Sequence, residues 1–359
     1  MQTARLGIVG GAGWRAQFFL RAAAALPERF EVCGMVVRDE AKGLQQEQAW
    51  GTKTYRNLDD MLKATDPLFV VVSVTRGSAP PILAALADRG LPALCETPPA
   101  DDVEGLVRLH ELVQRGARIQ VAEQYIFQPL HAARLAVAAS GKLGTVTQAQ
   151  VSAAHGYHGV SLIRHLLGVR FEPPGISAFR FTSPIVAGGG RSGPPAEEKI
   201  KDSVQTIAYL DFGGKLGVYD FTGDQYFSEI RSQRVLVRGE RGEINNTRVR
   251  HLLDYRTPVE LELRRIDAGH EGNLEGYFHK GILAGSEWVY SSPFAPGRLT
   301  DEEIAVATCL AKMAEYARGG PEFYGLAEAA QDRYLDILIA QAAETGRPVA
   351  ATLQPWASP

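Results

Sequence analysis

The sequence is poor in cysteine and lacks any dense run of basic residues. Its three cysteines, Cys33, Cys95 and Cys309, lie far apart, so they fit neither a disulfide framework nor the ligand spacing of a metal site. Lysine and arginine together number 38 against 41 aspartate and glutamate residues, a balance that argues against nucleic acid as the main partner. We expect a reducing, cytoplasmic environment in which the cysteines are small buried apolar residues.

Long hydrophobic runs are also missing. Residues 1–5 lead directly into an apolar strand pattern without the features of a signal peptide, and no apolar stretch is long enough to cross a bilayer. The length of 359 residues is too great for one ordinary domain, whereas a hydrophobic fraction of 45% suffices for a large core. The sequence therefore predicts a two-domain protein with no membrane partner.

The first 124 residues alternate short apolar runs with longer helical patterns. The run 68–74 is almost continuously apolar, as expected for a strand buried on both faces. This alternation predicts a parallel, doubly wound sheet of the Rossmann type in a domain spanning residues 1–124. The predicted strands are 6–9, 31–37, 68–74, 92–95 and 118–122. The predicted helices are 14–25, 40–50, 58–64, 79–89 and 103–115.

After Tyr125 most strand patterns follow one another without helices between them, and Gly213-Gly214 favours a hairpin turn. The Gly-, Pro- and Ser-rich stretch 187–198 is expected to be a long loop. Residues 125–359 are therefore predicted to form an α+β domain, an open mixed or antiparallel sheet with helices on one face. The predicted strands are 146–153, 176–182, 203–212, 215–221, 228–237 and 259–265. The predicted helices are 129–139, 160–167, 301–318 and 325–345.

A glycine-rich turn follows the first predicted strand. Residues 11–16, GAGWRA, fit the pattern G-x-G-x-x-G/A and stand where that strand meets the first helix. The glycines permit a tight turn and close approach of the backbone to a pyrophosphate, which the free N–H groups of the helix N-terminus then bind. The turn predicts a binding site for NAD or NADP.

The end of the second predicted strand should discriminate between these two cofactors. A carboxylate there binds the ribose 2′-hydroxyl of NAD, and an arginine accommodates the 2′-phosphate of NADP. The sequence has Val37 at the carboxylate position, followed by Arg38 and Asp39. This favours NADP slightly, although Arg38 could equally stack on the adenine with Asp39 as a helix cap.

Three further motifs carry a family resemblance. Glu96-Thr97-Pro98 follows the predicted strand 92–95, SGKLG at 140–144 precedes a strand, and LAEA at 326–329 lies in the closing helix. With the Rossmann half, these motifs make essentially the whole chain resemble the Gfo/Idh/MocA family of oxidoreductases. The resemblance implies a Rossmann domain followed by an open mixed sheet with the substrate pocket on its face. It also implies NAD(P)-dependent chemistry on a sugar, cyclitol or related polyol, and a homodimer or homotetramer.

The sequence departs from the family pattern at two catalytic positions. The family motif is Glu-Lys-Pro, in which lysine polarises the reacting oxygen, and Thr97 occupies the lysine position here. The family also carries an Asp four residues before a catalytic His; His158 matches the histidine, but Ala154 occupies the Asp position. The motif and the resemblance together imply cofactor contacts from Gly11, Ala12, Gly13, Trp14, Arg15, Arg38, Ser73, Val74, Thr75, Glu96, Thr97 and Gln124.

Other residues must then supply the acid–base chemistry, because hydride transfer from a carbinol requires a proton acceptor for the hydroxyl group. His155, Tyr157 and His158 lie together at a helix start, and Tyr125 follows the last Rossmann strand, so we select these four as catalytic candidates. The candidates for binding a polyol are Asp220, Asp224, Gln225, Tyr226 and Arg231, with Arg234 nearby in the sequence. The polar stretch 270–281 is expected to be a shaped loop that lines either the pocket or an oligomer interface.

Three functions are compatible with these observations. The first is an NAD(P)-dependent oxidoreductase for a sugar-like alcohol or ketone, with histidine or tyrosine replacing the family lysine. The second is a redox-neutral enzyme in which transient oxidation permits elimination of a glycosidic substituent. The third is a non-catalytic dinucleotide-binding protein, which the absence of the lysine and the aspartate would explain.

Overall fold

The computed structural model describes residues 2–269, 271, 273 and 275–357, and these residues fold around two β-sheets. The strands of the first sheet are β1 (Ala4–Val9), β2 (Phe30–Val36), β3 (Thr54–Tyr55), β4 (Phe69–Val72), β5 (Ala93–Cys95) and β6 (Ile119–Val121). Those of the second are β7 (Val146–Ser152), β8 (Gly175–Val186), β9 (Ile200–Asp211), β10 (Leu216–Thr222), β11 (Arg234–Gly239), β12 (Gly242–Asn245), β13 (Arg248–Leu252), β14 (Pro258–Ala268), β15 (Phe278–Ala284), β16 (Glu287–Ser291) and β17 (Val349–Ala350). The α-helices are α1 (Ala16–Ala25), α2 (Glu40–Trp50), α3 (Leu58–Thr65), α4 (Ala79–Ala87), α5 (Val103–Gln114), α6 (Pro129–Ala139), α7 (Gly156–Leu167), α8 (Asp301–Ala317) and α9 (Leu326–Thr345).

The first sheet is parallel throughout, in the order β3-β2-β1-β4-β5-β6. The apolar strand β4 is buried along its whole length, as a strand covered on both faces requires. The chain leaves β1 in one direction towards β2 and later returns on the other side at β4. This reversal opens a crevice at the carboxyl ends of β1 and β4, where doubly wound folds bind their ligands. The predicted Rossmann sheet is confirmed.

The second sheet has eleven strands in the order β16-β15-β14-β13-β12-β11-β7-β10-β9-β8-β17. All its neighbours pair antiparallel except β7 and β10, which run parallel. Helices α7 and α9 pack against β7, β10 and β8, so the predicted mixed sheet with covering helices is confirmed. Within the described residues, no helix is long and apolar enough to cross a membrane.

Several boundaries in the second sheet differ from the prediction. The strand expected at 228–237 begins only at Arg234, because residues 223–226 form a short 3₁₀-helix closed by a capping box. The short strands β12, β13, β15 and β16 were not predicted from the sequence, since charged residues and glycines obscure their alternation. Most of the polar stretch 270–281 was expected to be loop, yet residues 278–281 belong to β15; His270, Gly272 and Leu274 lie outside the described residues.

Helix α8 packs on the first sheet although it lies near the end of the chain. Its Leu310 and Met313 share a hydrophobic core with Leu6 of β1 and Phe19 of α1. A division of the chain after residue 124 therefore separates α8 from the sheet that it covers. The placement brings the acidic N-terminus of α8 close to the turn that follows β1.

Helix α7 is held in place by a buried arginine. Arg164 is 1% exposed and forms ion pairs with Asp332 (2.5 Å) and Glu328 (2.6 Å) of α9, and it also donates to the backbone oxygen of Arg170. A buried charge with several acceptors fixes the relative position of the elements that supply them. Arg164 thus sets the position of the opposite end of α7, where the predicted catalytic residues lie.

We predict that Arg164→Leu lowers the free energy of unfolding by about 3–5 kcal/mol, because the buried Asp332 loses its cation and Glu328 loses one of its two. Urea denaturation followed by circular dichroism measures this. The control is Arg170→Leu, which removes an exposed arginine from the same Glu328 and should cost about 1 kcal/mol or less. Equal losses in the two variants would contradict the role of Arg164.

Candidate dinucleotide and substrate site

The turn after β1 forms the base of the crevice between β1 and β4. Gly10 has φ +90°, and a Cβ there would lie 2.1 Å from the Ser73 carbonyl oxygen, so only glycine fits. The Gly13 N–H donates to the Gly10 oxygen at 2.8 Å and closes the turn ahead of α1. The first glycine of the turn is therefore Gly10. Gly11, which the sequence pattern selected, packs against Met35 and does not line the crevice.

The crevice has a volume of about 980 Å³ and joins the turn to the ends of β2, β4 and β5. Trp14 and Arg15, the two residues before α1, line this space together with Gly13. The glycine turn lets a pyrophosphate approach the backbone at the N-terminus of the helix. The residues present therefore fit a dinucleotide. Those of the predicted cofactor contacts that line the crevice are Ala12, Gly13, Trp14, Arg15, Arg38, Ser73, Val74, Thr75, Glu96 and Thr97.

Three cations border the end of the crevice beside β2. Arg38 lies there as predicted, and Lys42 of α2 and Arg56 after β3 join it. The Asp39 carboxylate accepts the Lys42 N–H at 2.9 Å and so caps α2. The sequence did not reveal Lys42 and Arg56 as neighbours of Arg38, because they come from separate elements that meet only in the fold.

A second cavity of about 470 Å³ adjoins the crevice at the junction of the two sheets. The two spaces share Trp14, Arg15, Glu96 and Thr97 as a common wall. The other residues lining the second cavity are Gln124, Tyr125, Gln128, His155, Tyr157, His158, Arg191, Tyr226, Phe227, Gln233 and Glu302. The structure thus brings all four predicted catalytic residues together in a cavity that adjoins the dinucleotide crevice.

Arg15 lies in the common wall with two carboxylates. Its guanidinium contacts Glu96 at 3.1 Å and Glu302 of α8 at 2.6 Å. Burial alone would lower the pKa of Arg15, but the charges of Glu96 and Glu302 outweigh it and raise the pKa above its usual value. Arg15 therefore stays charged, and its charge is balanced by its own partners.

His158 forms a buried pair with a carboxyl group that sequence reasoning did not select. Its Nδ1 lies 2.6 Å from Oε2 of Glu123, and both side chains are at most 3% exposed. Glu123 is the second residue after β6, and its other oxygen accepts the Tyr125 N–H at 3.1 Å. The pair leaves Nε2 of His158 as the ring nitrogen available to the cavity. Glu123 thus supplies, from another element, the carboxylate that the Ala154 position lacks.

Burial dominates the electrostatics of this pair. It raises the pKa of Glu123 to about 8. Burial, with the nearby Arg15 charge, also lowers the pKa of His158 to about 3. At neutral pH the carboxyl group is therefore protonated and the imidazole is neutral. Above pH 8 the carboxyl group ionises, Nδ1–H donates to it, and Nε2 becomes a free proton acceptor.

A second chain of hydrogen bonds crosses the cavity. The Tyr125 and Tyr226 hydroxyl groups lie 3.0 Å apart, and the Tyr226 hydroxyl lies 2.7 Å from Nδ1 of His155. The backbone N–H of His155 also donates to the Tyr226 hydroxyl oxygen at 3.0 Å. Tyr157 is engaged separately, donating to the Thr97 carbonyl oxygen at 3.3 Å. Burial raises the pKa of Tyr125 above its usual value, so its phenol stays protonated.

Of the predicted polyol-binding residues, the structure brings only Tyr226 to the cavity. Asp220 pairs with Arg234 at 2.7 Å, and Asp224 pairs with Lys201 at 2.5 Å. Gln225 is buried and donates to the backbone oxygens of Ser152 and Ser232, while Arg231 donates to the Ile230 oxygen. Asp220, Asp224, Gln225 and Arg231 do not line the cavity, because strand alternation and the 3₁₀-helix direct them elsewhere.

Residues 4–123 match the model of the GFO_IDH_MocA family, described as an oxidoreductase family with an NAD-binding Rossmann fold. For these residues the match confirms the resemblance to this family of oxidoreductases seen in the sequence. No curated protein matches the chain in sequence.

Solved structures resemble the chain over nearly its full length. A levoglucosan dehydrogenase in complex with NADH and levoglucosan has a TM-score of 0.70 at 16% identity, covering 98% of this chain and 100% of its own. A myo-inositol dehydrogenase from Corynebacterium glutamicum has a TM-score of 0.66 at 17% identity, with the same coverage. The WlbA dehydrogenase from Bordetella pertussis, in complex with NADH and UDP-GlcNAcA, has a TM-score of 0.64 at 18% identity, again with the same coverage. At such identities the likeness establishes the fold.

Proposed function

We propose that this chain, whose residues 4–123 match the model of the GFO_IDH_MocA oxidoreductases, transfers a hydride between NAD(P) and a CH–OH group of a sugar, cyclitol or related polyol. In this proposal His158, paired with Glu123, moves the proton in place of the family lysine. The observation that carries the proposal is the buried 2.6 Å pair of these residues in a cavity that shares its wall with the dinucleotide crevice.

The shape and lining of the cavity support a polyol as the substrate. Its volume of about 470 Å³ suits a monosaccharide-sized molecule, and its lining includes both aromatic rings and amide groups. Tyr226 and Phe227 offer flat apolar faces, and Gln128 and Gln233 offer hydrogen bonds to hydroxyl groups. Levoglucosan and myo-inositol, named for two of the structural neighbours, are molecules of this kind.

The charges around the cavity favour proton transfer over stabilisation by a fixed cation. Thr97 carries no charge, and the charge of Arg15 is balanced by Glu96 and Glu302. Neither Thr97 nor Arg15 therefore offers an excess positive charge to the reacting oxygen, and the hydroxyl proton must be removed as the C–H bond breaks. When bound, the nicotinamide supplies the acceptor or donor of the hydride. Nε2 of His158 accepts the hydroxyl proton during oxidation and, as Nε2–H, donates to the carbonyl oxygen during reduction.

A redox-neutral elimination is a second candidate. It needs an additional acid–base group that faces the same cavity, and the linked hydroxyl groups of Tyr125 and Tyr226, with His155, supply one separate from His158. Such a group could protonate a leaving alcohol while His158 acts on the substrate hydroxyl.

Incubation with NAD+ or NADP+ and a panel of sugars, cyclitols and their methyl glycosides tests both candidates. Absorbance at the wavelength of the reduced nicotinamide and the release of methanol are followed together. Net cofactor reduction is the expected result. Methanol release without net reduction would instead support the elimination, and cofactor binding without either reaction would indicate a non-catalytic protein.

We predict that His158→Ala lowers kcat of the oxidation by about 10²- to 10⁴-fold with unchanged cofactor affinity. In the native protein kcat/KM for oxidation should rise with pH to a plateau above the pKa of Glu123, about 8, because only the ionised carboxyl group leaves Nε2 free to accept a proton. Glu123→Gln should abolish this dependence. The control is His165→Ala, on the same helix but outside the cavity; a loss there equal to that of His158→Ala would refute the assignment.

We also propose that NADP is the preferred cofactor. The cluster of Arg38, Lys42 and Arg56 offers cations to a 2′-phosphate, whereas the Asp39 carboxylate is occupied in capping α2. We predict that Arg38→Ala weakens the Kd of NADP about tenfold and that of NAD less than about twofold, since a charge-assisted contact to phosphate is lost. Fluorescence titration measures both. Arg115→Ala, at the far end of α5, is the control, and equal losses for both cofactors would argue against a phosphate contact.

A homodimer or homotetramer completes the proposal. Phe179, Phe181 and Tyr209 are 47–53% exposed and lie on one face of the β8–β9 pair, opposite to the buried Ile176 and Leu210. An exposed apolar sheet face of this kind favours association with a second copy of the chain.

A further inference from the structure

The hairpin formed by β8 and β9 reaches from the second sheet to the dinucleotide domain. Its strands pair without interruption from Gly175 and Asp211 to Val186 and Ile200. Beyond them the Ala187 N–H donates to the Lys199 oxygen at 2.8 Å, so the pairing extends into the loop predicted at 187–198.

The tip of this hairpin is itself closed by hydrogen bonds. Gly190 and Gly193 exchange two backbone hydrogen bonds of 2.9 and 3.0 Å, which leaves Arg191 and Ser192 as a two-residue turn. Arg191 is therefore presented at the tip of an ordered turn.

Arg191 meets the turn that follows β1. Its guanidinium carbon lies 3.7 Å from the centroid of the Trp14 ring. Such stacking restrains the guanidinium plane while its N–H groups at the edge stay available. Arg191 lines the second cavity and does not line the dinucleotide crevice, so its charge faces the substrate side of the common wall.

The charge of Arg191 has no counterion among the described residues. Glu96 and Glu302, the carboxylates that line the cavity, both pair with Arg15. Within the described part of the chain, the Arg191 side chain forms neither an ion pair nor a hydrogen bond, and it stacks on Trp14. The exposed guanidinium of Arg191, which has no counterion, thus lines the same cavity as His158 of the His158–Glu123 pair.

We propose that Arg191 binds an anionic group of the substrate, so that the preferred substrates are polyols carrying a carboxylate or a phosphate ester. The proposal rests on the proposed function and specifies its substrate class. A guanidinium donates two parallel hydrogen bonds to a pair of oxygens that share a negative charge, whereas it gains less from a neutral hydroxyl group. The anionic end would lie at the hairpin tip, with the reacting CH–OH group at Nε2 of His158.

Calorimetric titration of the cofactor-loaded protein tests the proposal without depending on turnover. The probes are D-gluconate and D-glucuronate as carboxylates, glucose 6-phosphate as a phosphate ester, and glucose and myo-inositol as neutral polyols. We predict that the native protein binds at least one anionic class about tenfold or more tightly than the neutral polyols, and the preferred class distinguishes carboxylate from phosphate. Arg191→Gln should weaken that class by about 10- to 100-fold, as expected for loss of a bidentate charged contact, and the neutral polyols by less than about twofold.

Arg180→Gln is the matched control, since Arg180 is exposed on β8 of the same hairpin and does not line the cavity; it should leave every Kd unchanged. Equal weakening of anionic and neutral ligands by Arg191→Gln, or failure of every anionic polyol to bind, would overturn the proposal. Binding of an acid without any turnover would support Arg191 as its anchor while contradicting the proposed oxidoreductase activity. Turnover of neutral polyols with no preference for acids would support the proposed oxidoreductase activity and contradict the role of Arg191 as an anchor for an anionic group.

Discussion

The contact of one guanidinium with two carboxylates connects the parts of this molecule that form the site. Arg15 comes from the turn after β1, Glu96 follows β5, and Glu302 lies in the first turn of α8. Because burial makes an unpaired charge expensive, the three groups hold one another at fixed separations. The same wall closes the dinucleotide crevice on one side and the second cavity on the other. The position of α8, far along the chain, thus governs the shape of a site that begins at residue 10.

In the proposed mechanism, the pair of Glu123 and His158 takes the place of the family lysine. A lysine beside a reacting oxygen acts through its fixed charge, which a buried site must balance. Glu123 and His158 instead share a proton in a pair that is neutral at pH 7, and burial places the ionisation of the carboxyl group near pH 8. A small change of proton occupancy then converts Nε2 from a donor to an acceptor. The absence of charged residues at Thr97 and Ala154 is consistent with a site organised in this way.

The sequence predicted those features that depend on a few neighbouring residues. The glycine-rich turn, the apolar strand β4 and the family motif at Glu96 each occupy a few consecutive residues, so the Rossmann sheet and its crevice could be predicted. Contacts between residues that are distant in the sequence could not be predicted in this way. Glu123 was passed over although it stands beside two selected positions, because only the fold brings His158 within 2.6 Å of it. Asp220 and Gln225 looked like ligands for a polyol, yet their hydrogen-bond partners lie within the second sheet and the 3₁₀-helix.

The shared core of β1, α1 and α8 has a consequence for how the protein is made. The apolar side chains of Leu6 and Phe19 are covered by Leu310 and Met313, which the ribosome adds some 290 residues after them. A nascent chain that has completed all six parallel strands therefore still exposes an apolar face of its first sheet to water. The first sheet gains this cover only after α8 has been made, so a pause or truncation before residue 301 would leave the nucleotide-binding half exposed on that side.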